Sequence, residues 1–91
     1  MYFRVRWPDG REQDCYSPSL VIKELVVPGQ SYPVFEFMER SRAGLRIAAE
    51  RVRAKYGFHC SAAMDQLAAL EVLAETYDAQ AAVEVVAFRD K

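Results

Sequence analysis

The hydrophobic period of the chain changes at residues 33–57, which read PVFEFMERSRAGLRIAAERVRAKYG. Apolar or small residues recur here at intervals of four and three, with one aromatic residue widening the stripe: Val34, Phe37, Met38, Ser41, Leu45, Ala48 and Val52. This spacing predicts an amphipathic helix. One helix to Tyr56 fits, and so do two shorter helices broken near residues 48–49. Gly57 is the expected stop. Gly44 indicates close packing or a bend, because glycine costs up to about 1 kcal/mol inside a helix relative to alanine.

The chain before this helix begins with a strict alternation that is typical of a half-buried strand. One side carries Phe3, Val5 and Trp7, and the other carries Tyr2, Arg4 and Arg6. Residues 8–10, Pro-Asp-Gly, then predict a tight hairpin turn, since glycine accepts a positive φ. A second strand is expected over residues 11–16. It is the more polar of the two, which favours the edge of the sheet.

Two proline-containing segments separate this hairpin from the long helix. Ser17 is predicted to cap a short helix with Pro18 at its first position, running to about Leu25. A strand also fits part of this segment, because it contains Val21, Ile22, Val26 and Val27. Residues 28–29, Pro-Gly, predict a turn. Residues 31–33, Ser-Tyr-Pro, are expected to open the long helix, because proline is tolerated in a first turn.

The chain after Gly57 predicts one more helix and one more strand. Ser61 is the expected N-cap, and the buried face is marked by Ala63, Leu67, Leu70, Ala74 and Tyr77, with Met64 and Leu73 alongside. A strand follows, in which Val83, Val85 and Ala87 alternate with Glu84, Val86 and Phe88. Both of its faces are largely apolar, which favours a position beside a partner strand.

This order of elements predicts a small two-layer α+β domain spanning residues 1–91. The N-terminal β-hairpin and the C-terminal strand would form a sheet packed against the helices. The first strand is expected in the middle, so that the predicted sheet order is 2-1-3.

Composition limits the classes of protein to which the chain can belong. The length of 91 residues excludes a large multi-domain enzyme. The hydrophobic fraction of 52% excludes a disordered chain, because enough apolar surface is present to form a core. No apolar run of about 18 residues is present to span a membrane, and residues 1–10 do not read as a secretory signal. We therefore expect a cytoplasmic protein. Two cysteines and one histidine are too few for a zinc site of the usual spacing, so neither a metal nor a cofactor is predicted.

The formal net charge of −1 hides a segregation of charge along the chain. Residues 40–55 contain six basic residues and one acidic residue, whereas residues 56–88 contain five acidic residues and no lysine or arginine. The basic block is explained by a solvated helix face whose charges meet the acidic last helix, or by a docking patch for an acidic protein. A nucleic-acid site is disfavoured by the isoelectric point near 5.8.

Residues that carry chemistry are few. His59 and Cys60 are adjacent near a helix N-terminus, which lowers the pKa of a thiol, yet adjacent side chains usually point apart. Buried, unreactive thiols are the expectation for both Cys15 and Cys60. No catalytic residue is predicted.

Four segments together resemble a known family: RWPDG at 6–10, CYSPS at 15–19, PGQSY at 28–32 and AAERVRAKYGFHCSAAMDQL at 48–67. They are similar to a small bacterial family of nitrogen-starvation-response proteins. The resemblance implies a gene cluster with a nitrilase-type hydrolase, a radical S-adenosylmethionine (SAM) protein, an acetyltransferase and a synthase resembling a purine-pathway enzyme. That setting implies a role in nitrile or cyanide nitrogen assimilation, and it assigns no catalytic residues.

Three hypotheses about function follow. The first is a non-enzymatic accessory or regulatory protein that binds an enzyme of that cluster, with contacts at Arg51, Arg53, Lys55, Tyr56, His59 and Cys60. The second is a metabolite-binding protein or minor enzyme with a pocket near Tyr16, Tyr56, His59 and Cys60. The third is a nucleic-acid-binding regulator, which requires steeply salt-dependent binding.

Overall fold

A computed structural model describes residues 1–57 and 61–89. The elements are β1 (Tyr2–Arg6), β2 (Glu12–Tyr16), a 3-10 helix (Leu20–Glu24), β3 (Ser31–Pro33), α1 (Val34–Tyr56), α2 (Ser61–Ala74) and β4 (Ala82–Arg89). One face of an antiparallel sheet packs against the helices, and the other carries exposed side chains such as Arg4 and Arg6. The predicted α+β class is confirmed.

The sheet order is β2-β1-β4-β3. The first strand lies between the second and the C-terminal strand, as predicted. The predicted order 2-1-3 counted the C-terminal strand, β4, as the third and omitted β3. Residues 31–33 form that strand instead of opening the helix, and Tyr32 pairs with Val83. The residue before a proline avoids the helical region, which keeps Tyr32 extended until the helix begins at Val34.

The β1–β2 hairpin has the predicted turn. Gly10 has a φ of 90°, and its backbone N–H donates to the Trp7 carbonyl at 2.9 Å. Trp7 is buried at the end of this hairpin, stacked on Tyr77 with the ring centroids 5.3 Å apart and edge-on to Phe37 at 5.6 Å. The indole N–H donates to Gln13 Oε1 at 3.0 Å. Trp7 thereby joins β1, α1 and the segment after α2.

The predicted cap of the short helix is wrong. Ser19 is the N-cap, its hydroxyl accepting from the Val21 N–H, and the helix is of the 3-10 type. Ser17 is fully buried, and its hydroxyl donates to the Ser19 carbonyl at 2.8 Å. This local bond holds the chain in a bend through Pro18, so that the helix starts only at Leu20.

α1 is a single helix of 23 residues that ends at Tyr56, with Gly57 at a φ of 81° as its C-cap. Its buried stripe follows the predicted one from Val34 to Ala48 and also takes in Ala49, whereas Val52, the last predicted member, is only half-buried. Gly44 marks a close approach: a Cβ there would lie 2.7 Å from Ile22 Cδ1 and 3.0 Å from Leu25 Cδ1. The close packing predicted at this glycine is confirmed, and the 3-10 helix is the element that packs there.

α2 buries Ala63, Leu67 and Leu70, as predicted, whereas Ala74 and Tyr77 are only half-buried and Tyr77 lies beyond the end of the helix. Met64, placed beside that face from the sequence, is 38% exposed. Ser61, predicted as the N-cap, is the first helical residue.

In β4 the predicted alternation fails after Val85. Arg4 pairs with Ala87 and Val5 with Val85, so a bulge inserts Val86 between them. One extra residue reverses which side chains face the core. Phe88, opposite the buried Phe3, packs against the core, and Ala87 is exposed.

Candidate interaction surface

Four of the predicted contact residues lie together at the exposed end of α1. The last buried residue of this helix is Ala49. Arg51, Arg53, Lys55 and Tyr56 occupy the last two turns, and all four are exposed. We call these four residues the basic helix end. Its side chains extend past the buried part of the helix, so that they present positive charge and one aromatic ring to the surroundings.

The contacts of the three cations in the basic helix end are exposed to solvent, and one of them reaches the 3-10 helix. Arg53 Nη1 lies 3.1 Å from Glu50 Oε1, one turn back, and Arg51 Nη1 donates to Ser19 Oγ at 3.2 Å. Lys55 Nζ lies 5.4 Å from the centre of the Tyr56 ring. Exposed pairs of this kind contribute about 0–1 kcal/mol, so they yield readily to a better partner. Arg53 and Lys55 also stabilise α1 itself, because cations favour the negative end of a helix dipole.

The other basic residues of α1 have different environments. Arg40 donates to Glu36 and to the Leu25 carbonyl and lies over the Tyr32 ring, 4.8 Å from its centre. Arg40 therefore tethers the chain segment that precedes β3 to α1.

Arg42 pairs with Glu71 of α2 at 3.2 Å. This ion pair agrees with the hypothesis that charges of the basic block meet the acidic last helix. Arg46 forms no ion pair within residues 1–57 and 61–89.

His59 and Cys60 lie outside the described residues, so the structure does not place these two predicted contacts. Cys15 is buried in β2, as expected, and desolvation raises its pKa to about 12. A nucleophilic thiol must lose its proton, and burial at Cys15 opposes that loss.

The sheet face that is turned away from the helices carries a network of arginines and carboxylates. Asp14 binds both Arg4, at 3.0 Å, and Arg89, at 2.7 Å. Arg6 binds Glu12 and Glu84, each at 2.9 Å. The hydrogen bond and charge of Arg4 lower the pKa of Asp14, and those of Asp14 raise the pKa of Arg4.

Sequence reasoning did not single out this network. The signal was present in the hairpin, where Arg4 and Arg6 alternate opposite Asp14 and Glu12. Because the opposite charges neutralise one another, this face is a stabilising surface rather than a candidate site.

Comparison with protein families returned one decisive match. The family model described as "Nitrogen starvation-induced protein NitG" matches residues 2–88. The chain belongs to the NitG family. The resemblance inferred from the four sequence motifs is confirmed, and by its family the protein is a nitrogen starvation-induced protein. No curated protein and no solved structure matched the chain significantly.

The hollows described on this NitG-family chain are shallow surface features. Two of about 240 Å³ each lie between α1 and α2, and one of about 380 Å³ lies beside the β4 bulge. The largest, of about 440 Å³, lies on the outer surface of α1 around Ile47. Neither Tyr16 nor Tyr56, predicted to line a metabolite pocket, borders any of these four.

Neither a metal-binding cluster nor a membrane-spanning helix is present in the described part of the chain. It contains no group of three or more histidine, cysteine, aspartate or glutamate side chains placed to hold a metal ion. None of its helices is long and apolar enough to cross a membrane.

Proposed function

We propose that this NitG-family protein is a small non-enzymatic accessory or regulatory protein that binds a partner enzyme of nitrile or cyanide nitrogen assimilation. The observation that carries the proposal is the basic helix end. It concentrates three cations and a tyrosine on two turns of helix beyond the last buried residue. Tyrosine and arginine are the residue types enriched at the centres of protein interfaces.

Charge makes an acidic enzyme surface the expected partner. Residues 40–55 carry a formal balance of +5 in a chain whose net charge is −1. Of those charges, Arg40 and Arg42 are engaged in holding the fold, whereas Arg51, Arg53 and Lys55 have only weak, solvent-exposed contacts. Such exposed cations accelerate encounter with an acidic surface and fix its orientation, and their effect falls as salt rises.

A binding role also agrees with the chemistry of the described residues. The thiol of Cys15 is buried and holds its proton. The hollows are open at the surface, whereas small-molecule sites bury most of a ligand. The gene cluster implied by the family resemblance supplies the candidate enzymes: a nitrilase-type hydrolase, a radical SAM protein and an acetyltransferase.

The test is a direct binding measurement between the full chain and each of these three purified enzymes at low and raised salt. We expect one of them to bind, with weaker binding at raised salt. The double variant Arg53→Gln/Lys55→Gln should weaken binding about tenfold, since charged contacts at an interface contribute to both encounter and retention.

The matched control is Arg11→Gln/Lys23→Gln, which removes the same charge from exposed positions outside the basic helix end. It should bind like the parent. Melting temperatures of both variants separate lost contacts from a frayed helix. Binding to none of the three enzymes, an equal loss of binding in the control, or salt-sensitive binding to DNA instead would overturn the proposal.

A further inference from the structure

Helix α2 has an apolar surface on the side that is exposed as well as on the side that is buried. Val72 is 68% exposed and Met64 is 38% exposed, and Ala68 is exposed between them. A helix that is apolar all round is typical of an element covered on more than one side. Within the described residues, only the buried side of α2 is covered.

The neighbouring surface of α1 adds exposed apolar side chains, with Arg46 and Glu50 lying between Ile47 and Met64. Ile47 is 41% exposed, Ala43 lies exposed one turn before it, and the largest hollow surrounds Ile47. We call the combined surface the outer helix face, comprising Ala43, Arg46, Ile47, Met64, Asp65 and Val72.

Two opposite charges lie on the outer helix face without partners in the described part of the chain. Arg46 on α1 and Asp65 on α2 are both exposed, and neither forms an ion pair or a side-chain hydrogen bond with residues 1–57 or 61–89. Nearby, Arg42 and Glu71 do pair across the two helices. Among the six residues of the outer helix face, Arg46 is thus the free cation, on α1, and Asp65 the free anion, on α2.

The antiparallel arrangement of the two helices places these charges at similar heights. Arg42 meets Glu71 near one end, and Arg46 shares a hollow with Met64, the residue before Asp65. A two-fold axis parallel to the helices places α1 of one copy opposite α2 of the other. Each residue keeps its position along that axis. Arg46 of each copy then faces Asp65 of the other, and Ile47 lies near the Met64 side chain of the other copy.

We infer that two copies of this chain associate through the outer helix face, with four helices between two outward-facing sheets. Such an interface is self-complementary, because each copy supplies both the cation and the anion. The 23 residues of α1 and the 14 of α2 give helices roughly 35 Å and 21 Å long and about 10 Å wide.

Multiplying these lengths by the width gives a flat projected area on the order of 500 Å² for the outer side of the two helices. The solvent-accessible area is larger because side chains project from that surface. A standard interface takes about 800 Å² from each partner. We therefore expect a reversible dimer of moderate affinity.

Sedimentation velocity of the full chain tests this inference, from roughly 1 µM to roughly 1 mM, the range in which interfaces of this size dissociate. The mass should rise from 10.4 kDa towards twice that value. Val72→Glu should raise the dissociation constant at least about tenfold, since a charge would be desolvated in the interface. Leu20→Glu, at a residue that is 59% exposed on the 3-10 helix, is the matched control and should dimerise like the parent.

A charge exchange tests the orientation. Arg46→Asp and Asp65→Arg should each weaken association, and the double variant should restore it. A monomer at every concentration, unchanged association of Val72→Glu, or no restoration in the double variant would refute the inference. A monomer in which Val72→Glu instead blocks enzyme binding would assign this face to the enzyme. No enzyme is present in the sedimentation assay, so its failure leaves the role of the basic helix end untouched.

Discussion

Ser41 and Cys15 are two buried side chains with different consequences for the protein. Ser41 lies on the buried stripe of α1, and its hydroxyl has no hydrogen-bond partner among the described residues. Cys15 lies in β2, where a thiol packs as a small apolar group. Burial therefore penalises the hydroxyl of Ser41 and keeps the thiol of Cys15 protonated.

The variant Ser41→Ala should raise the free energy of unfolding by about 1 kcal/mol, because it removes a buried polar group that has no partner. For a chain of this size that is a rise of about 4–8 °C in melting temperature. Urea titration measures it. Ser17→Ala is the control, since the equally buried Ser17 hydroxyl is hydrogen-bonded and its loss should destabilise the fold. A less stable Ser41→Ala variant would contradict this account.

In a Cys60→Ser background, Cys15 becomes the only thiol and should react with Ellman's reagent only when the protein unfolds. Its pKa of about 12 leaves almost no thiolate at neutral pH, and its side chain is inaccessible. Unfolding in urea should accelerate labelling at least about a hundredfold, given the stability of ordinary small domains. Equal labelling rates in buffer and in urea would show that Cys15 is accessible in the native state.

At the scale of elements, the contact between α1 and the 3-10 helix fixes how the chain enters β3. The two elements meet at Gly44, where the backbone of α1 lies against Ile22 and Leu25. Arg40 adds a hydrogen bond of 2.6 Å to the Leu25 carbonyl. This contact fixes the chain that leads into the edge strand, so that the buried side chain of Tyr32 is held against α1 with Arg40 over its ring.

Gly44→Ala should destabilise the protein by about 1 kcal/mol. The new methyl group overpacks a site where Ile22 is fully buried, at about 1–3 kcal/mol, and alanine returns up to about 1 kcal/mol in helix propensity. Ile22→Val removes the atom that the new Cβ would meet. A double-mutant cycle should show that Ile22→Val is less harmful in the Gly44→Ala background. Additive effects would mean that the clash is relieved elsewhere.

The elements that could be predicted from sequence are those whose signal is local. β1, α1 and the buried face of α2 follow from periodicity that each segment carries by itself. β3 has three residues and exists only because Tyr32 pairs with Val83, some fifty residues later. The bulge at Val86 likewise depends on the register with β1.

The candidate site divides in the same way. The exposure of Arg51, Arg53 and Lys55 was predictable because they lie off the apolar stripe, which the sequence carries on to Val52. The pairing of Arg42 with Glu71 was not, since those residues are distant in sequence and meet only when α1 and α2 pack.

At the scale of the whole molecule, the two faces of the structure differ in how their charges are arranged. The exposed sheet face pairs arginines with carboxylates on three strands. The helix layer leaves cations at the end of α1 and on the outer helix face. Stability against acid is therefore expected to depend on the sheet face, and association on the helix layer.

The free energy of unfolding should fall as pH decreases below about 4, the usual range of an aspartate pKa. The pKa of Asp14 is lower in the folded protein than in the unfolded chain because of Arg4. Its contribution is therefore present above the unfolded pKa and lost as pH falls through the folded one. The pKa of Asp9 is lowered too, first by the Arg11 backbone N–H and then by the Tyr77 hydroxyl. Protonation of Asp9 therefore also lowers the free energy of unfolding as the pH falls.

Urea titrations between neutral pH and pH values below the aspartate range measure this effect. Asp14→Asn should be less stable than the parent at neutral pH and should lose less stability on acidification. Glu39→Gln serves as the control, because Glu39 has no ion pair among the described residues, and its profile should follow the parent. Parallel profiles for all three proteins would exclude the sheet network as a source of acid sensitivity.

The position of Trp7 gives the protein a built-in optical reporter. It is the only tryptophan in the chain, and its indole contacts a ring from α1 and a ring from the segment after α2. Separation of either segment from β1 would admit water to the indole and shift its emission to longer wavelength. Intrinsic fluorescence can thus follow the assembly of both helical segments on the sheet without an attached dye.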